Sequence, residues 1–299
     1  MSLMPAQPAH YSVILPHIVL SCGIVATLLA AAFSRGNRSP YVATLATLVL
    51  SLFSLSPIQA RLPAACTDLL MIDQMSLFTI GLILVASFSV ALSAYSYFQQ
   101  QGGRSAEFFV LLLLGTLGGL VLASSSHFLS LFLGIELIGI PLAAMAAYLR
   151  NRAQSIEAGF KYIILTGLSS AFLLFGIALL YAEPGSLMFG PTIAHIARPA
   201  GTGVLLPLGL SLVLGGMGFK LALVPFHFWS PDVYEGAPAP VATFAATVSK
   251  TAAIIALMRL FPPTLIRNDQ YLFALFTALS LASMILGTLL AVRQRNIKR

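Results

Sequence analysis

Stretches of about 20 consecutive, mostly apolar residues recur along nearly the whole chain, and each is long enough for a helix that crosses a lipid bilayer. Nine such stretches can be delimited, and the connections between them are too short for a folded soluble domain. They cover residues 12–33, 41–58, 74–98, 107–125, 127–149, 158–182, 203–226, 239–261 and 270–292. This pattern predicts an all-α integral membrane protein with about nine transmembrane helices.

The composition supports this class. Of the 299 residues, 58% are hydrophobic and only 8% are charged, which excludes a water-soluble enzyme. The formal net charge of +7 would suggest nucleic acid in a soluble protein. Here most basic residues lie in short loops between apolar stretches, so we expect a lipid bilayer around the protein and no nucleic-acid partner.

The basic residues also predict an orientation, because cytoplasmic loops carry an excess of lysine and arginine. Alternate loops hold nine and four of them. The nine are Arg35, Arg38, Arg104, Arg150, Arg152, Arg293, Arg295, Lys298 and Arg299, and the four are Arg61, Arg198, Arg259 and Arg267. We therefore predict the N-terminus outside and the C-terminus inside.

Four ionisable residues fall within apolar stretches, namely Glu136, Lys161, Lys220 and Lys250. A charge at membrane depth costs several kcal/mol unless it finds a partner or water. One acid with several lysines on consecutive helices is what a proton relay needs, since a buried lysine can lose its proton whereas arginine cannot. Two other interpretations stay open: a structural ion pair, and a snorkelling surface anchor in the case of Lys161, which follows a basic loop.

The seventh stretch predicts a broken helix. Glycines at positions 215, 216 and 218 precede Lys220, and Pro225 follows it. Because proline removes a helical hydrogen bond, the helix should kink or break beside the lysine, as in transporters. The glycines alternatively permit close helix packing. His227 either extends a proton path or is a histidine at the membrane surface.

Motifs for nucleotide, flavin, iron–sulfur or metal binding are missing from the sequence. We therefore expect this chain to hold no cofactor and no metal ion of its own.

Several segments resemble one protein family. Residues 218–241, with Asp232-Val233-Tyr234-Glu235-Gly236-Ala237-Pro238, are similar to the seventh-to-eighth-helix segment of the antiporter-like subunits of respiratory complex I, the NADH:quinone oxidoreductase. With Val248-Ser249-Lys250-Thr251 they resemble the subunit N branch more than branches L and M. Residues 133–137 followed by Pro141, and residues 159–163, fit the same branch.

The resemblance implies roles for individual residues. Glu136 matches the fifth-helix glutamate that pairs with the lysine of the broken helix, here Lys220. Lys250 matches the central lysine of the eighth helix, and Lys161 a lysine of the sixth. These residues would transfer protons, driven by redox chemistry in other chains. NADH, FMN, iron–sulfur clusters and quinone are then expected in partner subunits, which include antiporter-like paralogues in the membrane arm, and the location would be the bacterial inner membrane.

The family also implies a division of the chain. Residues 1–106 would form an N-terminal three-helix segment, 107–261 the first five-helix antiporter-like repeat, and 262–299 the start of a second, inverted repeat. The rest of that repeat, including a twelfth-helix lysine, has no counterpart here, so we expect a chain truncated at its C-terminus. A subunit of a multisubunit cation/proton antiporter and a non-conducting membrane scaffold remain alternatives.

Overall fold

The computed structural model describes residues 11–34, 36–58, 62–101, 105–197, 204–296 and 298. A short 3-10 helix, Tyr11–Ile14, leads into three helices, α1 (Leu15–Phe33), α2 (Arg38–Phe53) and α3 (Gln74–Gln100). The middle of the chain forms α4 (Ala106–Ala123), α5 (Phe128–Ala146), α6 (Ala153–Ala182), α7 (Phe189–Ile196), α8 (Leu205–Leu221) and α9 (Trp229–Gly236). The last helices are α10 (Ala239–Phe244), α11 (Lys250–Leu260), α12 (Pro263–Asn268) and α13 (Gln270–Arg293).

The predicted all-α membrane fold is confirmed. Within the described residues, seven helices are long and apolar enough to cross a membrane, and α2 and α8 are shorter apolar helices. One of the seven is a single helix, Ala239–Leu260, in which a five-residue π-helical segment, Ala245–Ser249, joins α10 to α11. These nine helices fall in the nine predicted stretches, apart from helix ends that differ by several residues.

A small β-hairpin was not predicted from the sequence. Strands β1 (Ala64–Thr67) and β2 (Leu70–Ile72) pair antiparallel, with Ala64 opposite Ile72. Beside it, Met71 donates its backbone N–H to the carbonyl of Ser124 at 2.9 Å. The hairpin thus covers the turn between α4 and α5, where backbone groups need partners outside the helices. Because the bond from Met71 to Ser124 joins positions more than 50 residues apart, no local sequence pattern indicated the hairpin.

Glycines let the helices around the seventh stretch approach closely. A Cβ atom at Gly176 on α6 would lie 2.8 Å from the carbonyl oxygen of Gly209 and from the backbone nitrogen of Val213, both on α8. A Cβ atom at Gly216 on α8 would lie 3.1 Å from the carbonyl oxygen of Ser169 on α6. The packing interpretation therefore holds for Gly216, whereas the nearest side chain at Gly215 and Gly218 is Phe226 of the following segment. Helices α6 and α8 form one tight pair.

Helix α13 lies at the edge of the bundle. No residue in its most apolar window is buried, although the helix has 24 residues. Most of its large side chains face away from the other described helices. The proposed limits of the three segments and the orientation stay predictions. Residues 1–10 lie outside the described residues, as do Arg35, Arg61, Arg104, Arg198 and Arg299.

Candidate functional site

Helix α8 breaks directly after Lys220 and Leu221, as the sequence predicted. Ala222 takes a left-handed backbone conformation with φ of 57°, and its N–H donates to the carbonyl of Phe219 at 3.0 Å. The N–H of Leu223 donates to the carbonyl of Gly218 at 2.8 Å. These bonds satisfy carbonyl groups that a helix end leaves open. Helix α8 therefore ends at Leu221, four residues before Pro225, and helical structure resumes at α9.

Lys220 is buried at this break, with 3% of its surface exposed. Its Nζ atom donates a hydrogen bond to Oγ1 of Thr166 on α6 at 3.1 Å and lies 5.6 Å from the ring centroid of Tyr162. On the other side, a Cβ atom at Gly139 of α5 would lie 2.7 Å from Nζ. The missing side chain at Gly139 thus leaves room for the ammonium group between three helices.

Glu136 lies on α5, one helical turn before Gly139, and is partly buried. The hydroxyl group of Ser170 on α6 donates a hydrogen bond to its Oε1 atom. Lys220 Nζ lies beside Gly139, one turn from Glu136, but no nitrogen–oxygen contact of 4.0 Å or less joins the two side chains. The structure thus places both residues against α6, each held by a separate hydroxyl group, without a closed ion pair.

Lys250 begins α11, directly after the π-helical segment. Its Nζ atom lies 5.5 Å from the ring centroid of Tyr234 on α9. Within the described part of the chain, its ammonium group makes no ion pair. Single π-helical turns inside α-helices occur frequently at functional sites, because they rotate the following side chains out of the regular register.

Lys161 has a different environment. Its side chain is 41% exposed, and its Nζ atom pairs with Oε1 of Glu157 at 2.7 Å and with Oδ2 of Asp232 at 2.8 Å. Lys161 lies about two turns after the start of α6, near the N-terminal end of this helix, which follows the basic loop. The structure therefore gives Lys161 two carboxylate partners near a helix end, whereas the direct neighbours of the Lys220 ammonium group are Thr166, Tyr162 and Gly139.

Helix α9 supplies contacts that the sequence interpretation missed. Trp229 donates its indole N–H to the carbonyl of Phe219 at 2.9 Å, and its ring centroid lies 5.1 Å from that of Tyr162. Asp232 binds Lys161, and Tyr234 lies under Lys250. Residues two apart on a helix point in nearly opposite directions, about 200° apart. The two-residue spacing of Asp232 and Tyr234 is the feature of the sequence that could have indicated these contacts. It lets one short helix reach two lysines on opposite sides.

Pro225 and His227 lie in the segment between α8 and α9. Pro225 is exposed, and the described contacts of His227 include the ring of Phe228 and the hydroxyl group of Ser230 but no lysine. The Nδ1 atom of His227 is buried and has no hydrogen-bond partner among the described residues. A relay role for His227 stays a prediction.

In the described ranges, no group of three histidine, cysteine, aspartate or glutamate residues is arranged to hold a metal ion. The groups around Lys220 suit proton transfer between side chains. It combines a buried amine, hydroxyl groups that both donate and accept, and a carboxylate nearby.

Comparison with known proteins shows the family to which this chain belongs. The family profile described as "NADH:quinone oxidoreductase/Mrp antiporter, TM" matches residues 125–299, which contain all four ionisable residues discussed above. NADH-quinone oxidoreductase subunit N of Ectopseudomonas mendocina (strain ymp) is 42% identical over 295 residues, covering 97% of this chain and 59% of that protein.

Solved structures share the fold. A chain of respiratory complex I from Thermus thermophilus with bound aureothin aligns with a TM-score of 0.78 at 34% identity, over 95% of this chain and 60% of that one. A chain of the Mrp complex from Dietzia sp. DQ12-45-1b aligns with a TM-score of 0.78 at 21% identity, over 95% and 55%. The chain thus spans about three-fifths of the length of these relatives.

Proposed function

Since the chain belongs to the NADH:quinone oxidoreductase/Mrp antiporter transmembrane family, we propose that it is a proton-translocating membrane subunit of an NADH:quinone oxidoreductase. The observation that carries the proposal is Lys220, a buried lysine at a helix break whose ammonium group is held by a hydroxyl rather than a carboxylate. A permanently charged group in such a place would be costly, whereas a group that gains and loses a proton is useful there.

Thr166 can serve Lys220 in both protonation states. When the side chain is an ammonium, Oγ1 accepts its hydrogen bond, as observed. When the proton has left, the neutral amine has a lone pair that can accept the Thr166 hydroxyl proton in turn. Reversing the direction of one hydrogen bond keeps both groups satisfied, so neither state leaves an unpaired buried polar group.

Glu136 supplies the charge that biases Lys220. The two residues form no direct ion pair, and each is hydrogen-bonded to a hydroxyl group of α6. Closing such a pair to about 4 Å favours the ammonium form by about 4 kcal/mol at an effective dielectric constant of about 20. Opening it removes that stabilisation and favours release of the proton. Movement of α5 or α8 against α6 would therefore drive protons on and off Lys220, with Lys250 as the next carrier.

Electron transfer takes place elsewhere in this proposal. The 42% identical relative is named a subunit of NADH-quinone oxidoreductase, which supports assembly with other membrane-arm subunits, antiporter-like paralogues among them. NADH, FMN, iron–sulfur clusters and quinone would be bound by those partners, and this chain would hold no redox centre. The basic loops support a position in the bacterial inner membrane with the N-terminus outside and the C-terminus inside.

Substitutions in the assembled enzyme test the proposal. We expect Lys250→Ala and Glu136→Gln each to reduce the number of protons moved per electron, measured in membrane vesicles with NADH as donor. Glu183→Gln is the control, because its carboxylate pairs with His195 at 2.8 Å beyond the end of α6. Unchanged stoichiometry in both test variants would favour a non-conducting scaffold. Sodium–proton exchange without NADH oxidation would favour a multisubunit antiporter.

A further inference from the structure

Lys250 lies over an aromatic ring, where a carboxylate would be the usual partner of a charge at this depth. Its Nζ atom is 5.5 Å from the ring centroid of Tyr234, within the range of a cation–π interaction. The hydroxyl oxygen of Tyr234 is buried and has no hydrogen-bond partner among the described residues. The ring face of Tyr234 is therefore the part of the side chain that reaches the lysine.

Lys220 has a parallel arrangement. Its Nζ atom is 5.6 Å from the ring centroid of Tyr162, and that ring is nearly fully buried. Trp229 lies between the two tyrosines, with its ring centroid 5.1 Å from Tyr162 and 6.3 Å from Tyr234. The hydrogen bond from Trp229 to the carbonyl of Phe219 fixes this ring to the end of α8. Two lysines on separate helices thus face two ends of one aromatic group.

An aromatic face distinguishes the two protonation states of a lysine. The quadrupole of the ring attracts an ammonium group and gives no comparable attraction to a neutral amine. A desolvated contact of this kind changes the ratio of the two states by about five- to thirty-fold. A carboxylate in contact would hold the proton more strongly, so the ring permits both occupancy and release.

We propose that Tyr234 is a positioning residue for Lys250, whose ring face holds the protonated side chain towards Trp229 and the Lys220 side of the bundle. This proposal rests on the proposed function, because it assigns Tyr234 a role in proton transfer by Lys250. Tyr162 serves Lys220 in the same way, together with Thr166.

Two substitutions at Tyr234 separate the ring from the hydroxyl group. Tyr234→Phe keeps the ring and removes the hydroxyl, whereas Tyr234→Leu removes the ring and keeps an apolar side chain. In the assembled enzyme we expect the Phe variant to retain about 80% or more of the wild-type pumping rate. The pumping rate of the Leu variant should fall about five-fold or more. Tyr181→Leu is the matched control, because Tyr181 is 49% exposed on α6.

The outcomes separate this inference from the proposed function. Equal loss in the Phe and Leu variants would show that the hydroxyl matters, and equal retention would show that neither part does; each result overturns the ring assignment. If Lys250→Ala abolishes pumping while Tyr234→Leu does not, the proposed function survives and the inference fails. Normal pumping by Lys250→Ala would overturn the inference, and normal pumping by both Lys250→Ala and Glu136→Gln would overturn the proposed function as well. Assembly, measured as the amount of intact complex, must be equal in all variants compared.

Discussion

The ammonium nitrogen of Lys220 and the hydroxyl oxygen of Thr166 are joined by a 3.1 Å hydrogen bond across the tight contact between α8 and α6. The two residues are 54 positions apart in sequence and are 3% exposed each. This bond connects the helix that breaks to the helix that also carries Ser170, the hydroxyl partner of Glu136. Helix α6 thus provides the polar groups for both residues.

Removing the Thr166 hydroxyl should slow proton transfer. Thr166→Val keeps the shape of the side chain but leaves Lys220 without this acceptor, and hydrogen bonds to charged groups contribute about 1.5–3 kcal/mol. We expect proton pumping to fall by about ten-fold with NADH as electron donor. Thr288→Val on α13 is the control, since that exposed hydroxyl bonds to its own helix at Met284. Equal pumping by both variants would show that Thr166 is not needed.

The substitution Lys161→Arg distinguishes two roles for Lys161, a surface anchor and a proton carrier. Arginine keeps the positive charge but does not release its proton at physiological pH. Because Lys161 is 41% exposed and pairs with Glu157 and Asp232, we expect Lys161→Arg to retain most of the proton pumping. Lys250→Arg, in contrast, should be inactive under the same assay. Loss of pumping in Lys161→Arg, in a fully assembled enzyme, would instead assign Lys161 to the transfer path.

Asp73 and Arg259 connect the N-terminal helices to the helix of Lys250, and their ion pair should make stability depend on pH. Arg259 is 9% exposed, and its Nη2 atom lies 2.6 Å from Oδ1 of Asp73. Burial acts to raise the pKa of this carboxyl, but hydrogen bonds from Ser76 and the charge of Arg259 outweigh burial and hold the pKa below its ordinary value of 3.8. The stabilisation is therefore present above that value and lost as the pH falls through the lower folded pKa.

The substitution Asp73→Asn isolates this ion pair, because asparagine still caps the N-terminus of α3. It leaves the arginine buried without its counter-charge, so we expect a loss of about 3 kcal/mol in the free energy of unfolding at neutral pH. Thermal unfolding of the detergent-solubilised protein should show the variant below wild type at pH 7, and the difference should shrink below about pH 4. A difference independent of pH would argue against the ion pair.

Gly176 should be intolerant of a side chain where α6 crosses α8. An alanine Cβ there would lie 2.8 Å from two backbone atoms of α8, which cannot move aside as a side chain can. We expect Gly176→Ala to lower stability by about 2 kcal/mol and to displace Lys220 from Thr166. Gly167→Ala on the same helix is the control, since an alanine Cβ at that position would have no neighbour within 4 Å among the described residues and alanine favours the helix. Thermal unfolding and pumping assays of the two variants give the comparison.

Much of the fold was predictable because membrane helices form from local sequence. A run of apolar residues must satisfy its backbone hydrogen bonds internally in lipid, so length and composition identify a helix without knowledge of its neighbours. The break beside Lys220 was predictable for a related reason, although the chain leaves the helix at Ala222 and not at Pro225. The hairpin at Ala64–Ile72 was not, since its bonds depend on a turn more than 50 residues away.

The sequence by itself determined the class of the protein, the helices and the four residues whose charge is out of place in lipid, because apolar length and the cost of a buried charge are local properties. The tertiary structure decided what those residues touch. It placed Thr166 and Tyr162 at Lys220, two carboxylates at Lys161 and the ring of Tyr234 at Lys250. These contacts join side chains on different helices, and their geometry depends on how closely glycine lets the helices pack, which no single stretch of sequence specifies.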